Sequence, residues 1–356
     1  MKKFLIFVMI SSITCIGWSQ QFDIGELENA RYKIYIPENW NGGLVMYAHG
    51  YESIGEEGEI FDEVIDDFMQ IFTSRGFAYA ASNFRRQGLI IKDGIDDTEA
   101  LRAYFSKKYG KPNLCFITGH SMGGIISLAS VEKFPAFYDG ALPLCGWLAP
   151  VYSLMKRALD MLVIYDYLFA KNNGRILDEK AFIEQDRIKA QIDKKQKLAT
   201  LFGTHFMIKV DHLAEVISFN QFVIKEIISW LGGLPSGNIQ TIYSGFGDLD
   251  EHINKNVKRY EANSFAEEYY IQNYSPTGEL YDPVLALHTT YDELLPVSNY
   301  EYYEQVTKIK HSSHYYAQQY IMAKGHCEFS ISDIDKSFDQ LLAWIKDGKH
   351  PAVPNK

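Results

Sequence analysis

Apolar residues fall into two patterns along this chain. The first is a set of short runs: 44–48 (LVMYA), 77–81, 114–118, 141–144 and 283–288 (PVLALH), with a more mixed run at 316–323. Most are bounded by Gly, Pro or polar residues and are too short for stable helices. Their apolar character is continuous rather than alternating, as in strands buried on both faces. Residues 26–37 read as an early strand pair. The second pattern has helical spacing. It predicts an amphipathic helix over 61–73 (Phe61, Val64, Ile65, Phe68, Met69, Phe72), ending at Gly76. Further helices are predicted over 96–109, stopped by Gly110, and over 125–134, stopped before Pro135.

Strand and helix alternate at roughly 30-residue spacing, which predicts a parallel sheet with right-handed crossovers. The rhythm breaks after residue 146. An apolar helix is expected over 152–170, interrupted by Asp160 and Asp166, then a charged helix over 184–197 with one solvated face. An apolar helix over 219–231 follows, ended by Gly232-Gly233 and Pro235. Alternation resumes with strand 283–288, helix 297–306, strand 316–323 and helix 334–346. Two sequential domains would leave the last strands without partners. The order therefore predicts an α/β domain from residues 20–146 and 283–356, with a helical insertion over 147–282 late in the sheet.

The first nineteen residues read differently. Lys2 and Lys3 precede an apolar stretch from Phe4 to Ile16, and Gly17-Trp18-Ser19 places small residues at alternating positions. This is the pattern of a cleaved export signal, so the mature protein is expected outside the cytoplasm, in the periplasm or secreted. An uncleaved anchor fits less well, because a spanning helix needs about 20 apolar residues. Lipidation at Cys15 fits less well because Thr14 precedes it. No later segment is apolar enough to cross a membrane.

Composition narrows the function. At 47% hydrophobic and 22% charged residues, the 356-residue chain can bury a large core and is not a disordered or low-complexity protein. The formal charge of -10 argues against binding nucleic acid through its phosphates. The 24 Tyr and 22 Phe are read first as packing residues. Three cysteines would survive cleavage (Cys115, Cys145, Cys327), which excludes a disulfide framework and permits at most one bridge. Their spacing fits no zinc site.

The chemistry lies in Gly119-His120-Ser121-Met122-Gly123-Gly124, between a predicted strand and a predicted helix. A strand that turns sharply into a helix projects its middle side chain from the sheet edge, and its neighbours must be small. Ser121 is the candidate nucleophile. Its partners should follow later strands on the same edge. Asp292 is the first carboxylate past strand 283–288, with Glu293 a weaker rival. His326 is the histidine just past strand 316–323, whereas Asp282, His311 and His314 precede their strands. The expected roles are attack by Ser121, proton transfer by His326 and orientation of the imidazole by Asp292. The Met122 and Tyr51 backbone N–H groups are the expected oxyanion donors, with Gly50 allowing close approach.

Tyr47-Ala48-His49-Gly50-Tyr51, Gly119–Gly124, His288–Asp292 and Gly325-His326-Cys327 together resemble an α/β-hydrolase, more narrowly a secreted bacterial serine esterase. The resemblance implies the α/β-hydrolase fold, a mostly parallel sheet flanked by helices, with the insertion as a lid. It implies an acyl-enzyme mechanism on a small-molecule ester or short peptide, without cofactor or metal. Gly325-His326-Cys327 and Trp344–Gly348 are distantly similar to the feruloyl esterase and tannase group. There, a cysteine beside the nucleophile pairs with one beside the histidine. Here His120 occupies the first position, so that bridge is missing. Cys145 is an alternative partner for Cys327, although a buried free thiol is the ordinary expectation for such a residue. Two other functions stay open. A serine aminopeptidase would need a lid carboxylate for the substrate amine, for which Glu267-Glu268 is the candidate. A binding protein with a silent site is the third.

Overall fold

A computed structural model describes residues 20–55, 62–178 and 181–351. The expected export signal, Cys15 and Phe61 lie outside the described residues. Eight strands form one sheet: β1 (Gln21–Leu27), β2 (Ala30–Ile36), β3 (Leu44–Ala48), β4 (Ala78–Ser82), β5 (Cys115–His120), β6 (Gly140–Leu144), β7 (Val284–Tyr291) and β8 (Tyr316–Lys324). Their spatial order is β1-β2-β4-β3-β5-β6-β7-β8. The pairings β1–β2 and β2–β4 are antiparallel, and from β4 to β8 every pairing is parallel. This is the α/β-hydrolase fold.

Alternate residues of each central strand face two separate cores. Leu44, Met46 and Ala48 join one, and Val45 joins the other. Helices α1 (Asp67–Thr73) and α11 (Ile331–Asp347) cover the smaller core, through Phe72, Phe338 and Trp344. Helices α2 (Ile91–Tyr109), α3 (Met122–Lys133) and α10 (Ser298–Ile309) cover the larger. That core continues into the insertion between β6 and β7, which holds α4 (Val151–Phe169), α5 (Gln185–Asp193), α6 (Gln196–Phe206), α7 (Leu213–Leu231), α8 (Asp250–Asn256) and α9 (Ser264–Asn273). Among the described residues no helix is long and apolar enough to cross a membrane.

Several element bounds differ from the sequence reading. The first hairpin begins at Gln21, not residue 26. Helix α1 begins only at Asp67, where Asp66 caps it by accepting from the Met69 N–H at 2.7 Å. Helix α2 begins at Ile91, five residues early, because it runs through Gly94. A Cβ there would lie 2.4 Å from Ile126 Cδ1, so the glycine serves close packing of α2 on α3 rather than a turn. The predicted helix 184–197 is two helices broken at Lys194-Lys195, without a Gly or Pro to mark the break. Helix α7 starts at Leu213 rather than 219.

Candidate active site

The site begins at the turn between β5 and α3. Ser121 sits at φ 55°, ψ −114°, a left-handed conformation that aims its side chain away from the sheet. Its N–H donates to Leu144 O at 2.9 Å, tying the turn to β6. The flanking glycines are sterically required. A Cβ at Gly119 would lie 2.3 Å from Ala48 O, and one at Gly123 only 1.9 Å from the same oxygen. Ser121 is also the N-cap residue of α3, so the helix directs its first N–H groups and the positive end of its dipole toward the serine.

Asp292 follows directly on β7 and is 2% exposed. Its Oδ1 accepts from the Leu294 and Leu295 N–H groups at 2.9 and 2.8 Å. Its Oδ2 faces His326, whose Nδ1–H donates to it at 2.7 Å. Because Nδ1 carries the proton, Nε2 is free to accept, and Ser121 Oγ lies 2.8 Å from it. The three side chains therefore form one continuous hydrogen-bonded path. His326 is held by its own loop. The Gly325 N–H donates to Tyr291 O at 2.9 Å, Thr289 Oγ1–H donates to Gly325 O at 3.0 Å, and the His326 N–H donates to Glu293 Oε1 at 3.3 Å. Glu293, the rival carboxylate, thus meets the histidine backbone rather than its ring.

Three further histidines surround this path. His288 is buried on β7, with its Nδ1–H donating to Thr289 O at 2.9 Å and its Nε2 3.9 Å from Asp292 Oδ2. Burial holds its pKa below the usual histidine value, against the pull of Asp292. His120 accepts from Tyr47 O–H at 3.2 Å through Nδ1, and burial, with some repulsion from His326, pushes its pKa down to about 4. His49 stacks on Phe84 with ring centroids 4.1 Å apart, its Nδ1–H donating to Gly50 O at 2.8 Å. Burial lowers its pKa as well. All three shifts favour neutral rings near pH 7.

Of the two cysteine readings left open by the sequence, the alternative pairing is the one formed. Cys145 is not a free thiol; it is bonded to Cys327, with Cα atoms 5.3 Å apart and 182 residues between them in sequence. The bridge joins the end of β6 to the residue after His326. Both cysteines have positive φ, 46° and 60°. Among the described residues Cys115 is the free cysteine, and burial raises its pKa.

The loop after β3 passes beside the serine: a Cβ at Gly50 would lie 3.5 Å from His120 O and 3.7 Å from Ser121 Cβ. Tyr51 and Met122 line a cavity next to Ser121. Its other walls are mainly apolar, with Met155 and Ala158 from α4, Phe219 and Val223 from α7, and Leu294 and Leu295 from the Asp292 loop. Neither Glu267 nor Glu268 lines it. Glu267 accepts from Tyr152 O–H at 2.8 Å, and Glu268 accepts from the Gln272 amide. A different carboxylate of the insertion, Glu226 on α7, accepts from Tyr51 O–H. Sequence reasoning missed this contact, and the helical period alone could not have named its partner.

No protein-family profile and no curated protein matches the chain. Among solved structures, it is similar to the Pyrococcus furiosus esterase Pf2001, with TM-score 0.49 and 11% identity over 94% of this chain and 92% of that one. It is also similar to Est1E from Butyrivibrio proteoclasticus, with TM-score 0.47 and 12% identity over 91% and 98% of the two chains. A third similarity, to puromycin hydrolase, has TM-score 0.47 and 13% identity, covering 94% of this chain but only 40% of the other.

Proposed function

We propose that this protein is a serine hydrolase that cleaves carboxylic esters through an acyl-enzyme. The observation that carries the reading is the path from Ser121 Oγ through His326 to Asp292, with hydrogen-bond distances of 2.8 and 2.7 Å. In this mechanism Ser121 attacks the acyl carbon while His326 Nε2 takes its proton. Asp292 stabilises the imidazolium, and the histidine then returns the proton to the leaving alcohol. Water repeats the sequence to release the acid. The Met122 N–H at the start of α3 and the Tyr51 N–H stabilise the tetrahedral oxyanion; one such donor is worth about 10²–10³ in rate.

The apolar cavity under α4 and α7 supports an apolar acyl group as the part of the substrate held by the lid. Glu267 and Glu268, the carboxylates considered for a peptidase, lie away from that cavity in bonds of their own, which favours the ester reading. Export from the cytoplasm belongs to the same proposal. The 1–19 segment has the signal pattern, and a disulfide such as Cys145–Cys327 persists in an oxidising compartment.

The test is a panel of nitrophenyl acyl esters, methyl ferulate and aminoacyl-anilides, assayed with wild type and Ser121→Ala. Nitrophenyl ester turnover that exceeds anilide turnover and vanishes in the variant supports the proposal. Preference for aminoacyl-anilides would replace it with the peptidase reading.

A further inference from the structure

The loop that supplies Tyr51 is held from two directions. The sheet domain holds its later part: the Gly88 N–H donates to Glu52 O at 2.8 Å, and the Gly55 N–H donates to Gln87 Oε1 at 2.9 Å. The inserted helices hold it from α7. Glu226 accepts from Tyr51 O–H with one carboxylate oxygen and from the Ile54 N–H with the other, at 2.7 Å. Two turns earlier on the same face of α7, Phe219 meets the Tyr51 ring edge-on, with centroids 5.7 Å apart. The residue whose N–H should face the oxyanion is therefore fixed at its far end by a carboxylate 175 residues away in the sequence.

We infer that Glu226 is a positioning residue for catalysis: the insertion sets the oxyanion-binding loop through it, besides covering the cavity. This rests on the ester-hydrolase reading above. Oxyanion donors are effective because they are fixed before charge develops, and a misplacement of about 1 Å can cost about 10²-fold in rate. Hydrogen bonds to a carboxylate are about twice as strong as neutral ones, so a two-pronged acceptor is an effective clamp. With both oxygens engaged by the loop, Glu226 serves the backbone geometry rather than a substrate amine.

The experiment compares Glu226→Ala, Glu226→Gln, Tyr51→Phe and the Glu226→Ala/Tyr51→Phe double variant on nitrophenyl acetate, with a thermal midpoint for each and Ser121→Ala as control. Glu226→Ala is expected to lower kcat about 10- to 100-fold with KM within about threefold. Glu226→Gln keeps one carbonyl acceptor and should recover most of that loss. The double variant should be no slower than Glu226→Ala alone, because both substitutions break one linkage. Wild-type kcat in a folded Glu226→Ala enzyme, or losses that multiply in the double variant, would overturn the inference. If Glu226→Ala does not fold, Tyr51→Phe decides: unchanged kcat overturns the inference and reduced kcat supports it. Retained turnover in Ser121→Ala would instead remove the hydrolase reading itself. An inactive Ser121→Ala beside a fully active Glu226→Ala would remove only this inference.

Discussion

The sheet edge and the inserted helices hold their side chains by different means. At the edge, backbone fixes the chemistry. Ser121 hangs from Leu144 O, Asp292 is gripped by two N–H groups, and the His326 loop is tied to β7 and to the Cys145–Cys327 bridge. In the insertion, packing dominates. Leu159, Leu162, Ile217 and Ile224 are fully buried, and the Gln221 amide joins α7 to the Ile183 backbone through two hydrogen bonds of 3.0 Å. Backbone bonds give angular precision, which proton transfer needs. Packed apolar side chains give shape, which selects a substrate. Under the proposed function, the difference would assign reaction to one region and selection to the other, with Glu226 as a crossing point.

The largest effects should come from the edge. Ser121→Ala should lower kcat by about 10⁶ on a good ester substrate, and Asp292→Asn by about 10⁴, because the wrong imidazole tautomer would face the serine. Steady-state kinetics checks both; comparable activity in either variant would break the division. Replacing both Cys145 and Cys327 by Ala tests how far the histidine loop depends on its bridge. The unfolded chain would lose a closure spanning 182 residues, which costs about 2–5 kcal/mol of stability, read by denaturant unfolding. A kcat loss at temperatures where the variant remains folded would place the bridge in the site's geometry as well.

Smaller effects belong to the insertion. Ala158→Phe should fill part of the cavity and lower the octanoate-to-acetate ratio of kcat/KM by about tenfold. A uniform loss on both esters would put that wall in the chemistry and blur the comparison. The smallest effect lies at the opposite sheet edge. Asp282 precedes β7, and burial together with repulsion from Asp139 raises its pKa to about 6. Folded protein thus binds more protons there than unfolded chain between about pH 4 and 6, so this residue's contribution to stability falls as pH rises through that window. Asp282→Asn should remove the slope and stabilise at pH 7 by up to about 1 kcal/mol, discounted for solvent screening, with kcat unchanged. Thermal unfolding across the pH range checks it.

The edge was also the more legible region. A buried strand followed by a Gly-rich turn is a local signal, and parallel strands bring their C-terminal ends to one side. Ser121, Asp292 and His326 could therefore be placed together from position alone. The insertion offered fewer such signals. The break at Lys194-Lys195 has no turn residue, and α8 and α9 passed unseen, although Asn263 caps α9 by accepting from the Phe265 and Ala266 N–H groups at 3.1 Å. Helical periodicity registers that a face is buried, not what it meets, so the pattern carries no signal for the contact of Glu226. The Cys145–Cys327 pairing depends on β6 lying beside β7, a long-range fact that cysteine spacing does not carry.

Whether Ser121, His326 and Asp292 act as one unit is read by trapping the protein with a fluorophosphonate and mapping the adduct by mass spectrometry. A single phosphonylated residue, Ser121, is expected, with labelling slowed in Asp292→Asn and abolished in His326→Ala. An adduct at another residue, or labelling that proceeds equally well without His326, would contradict it.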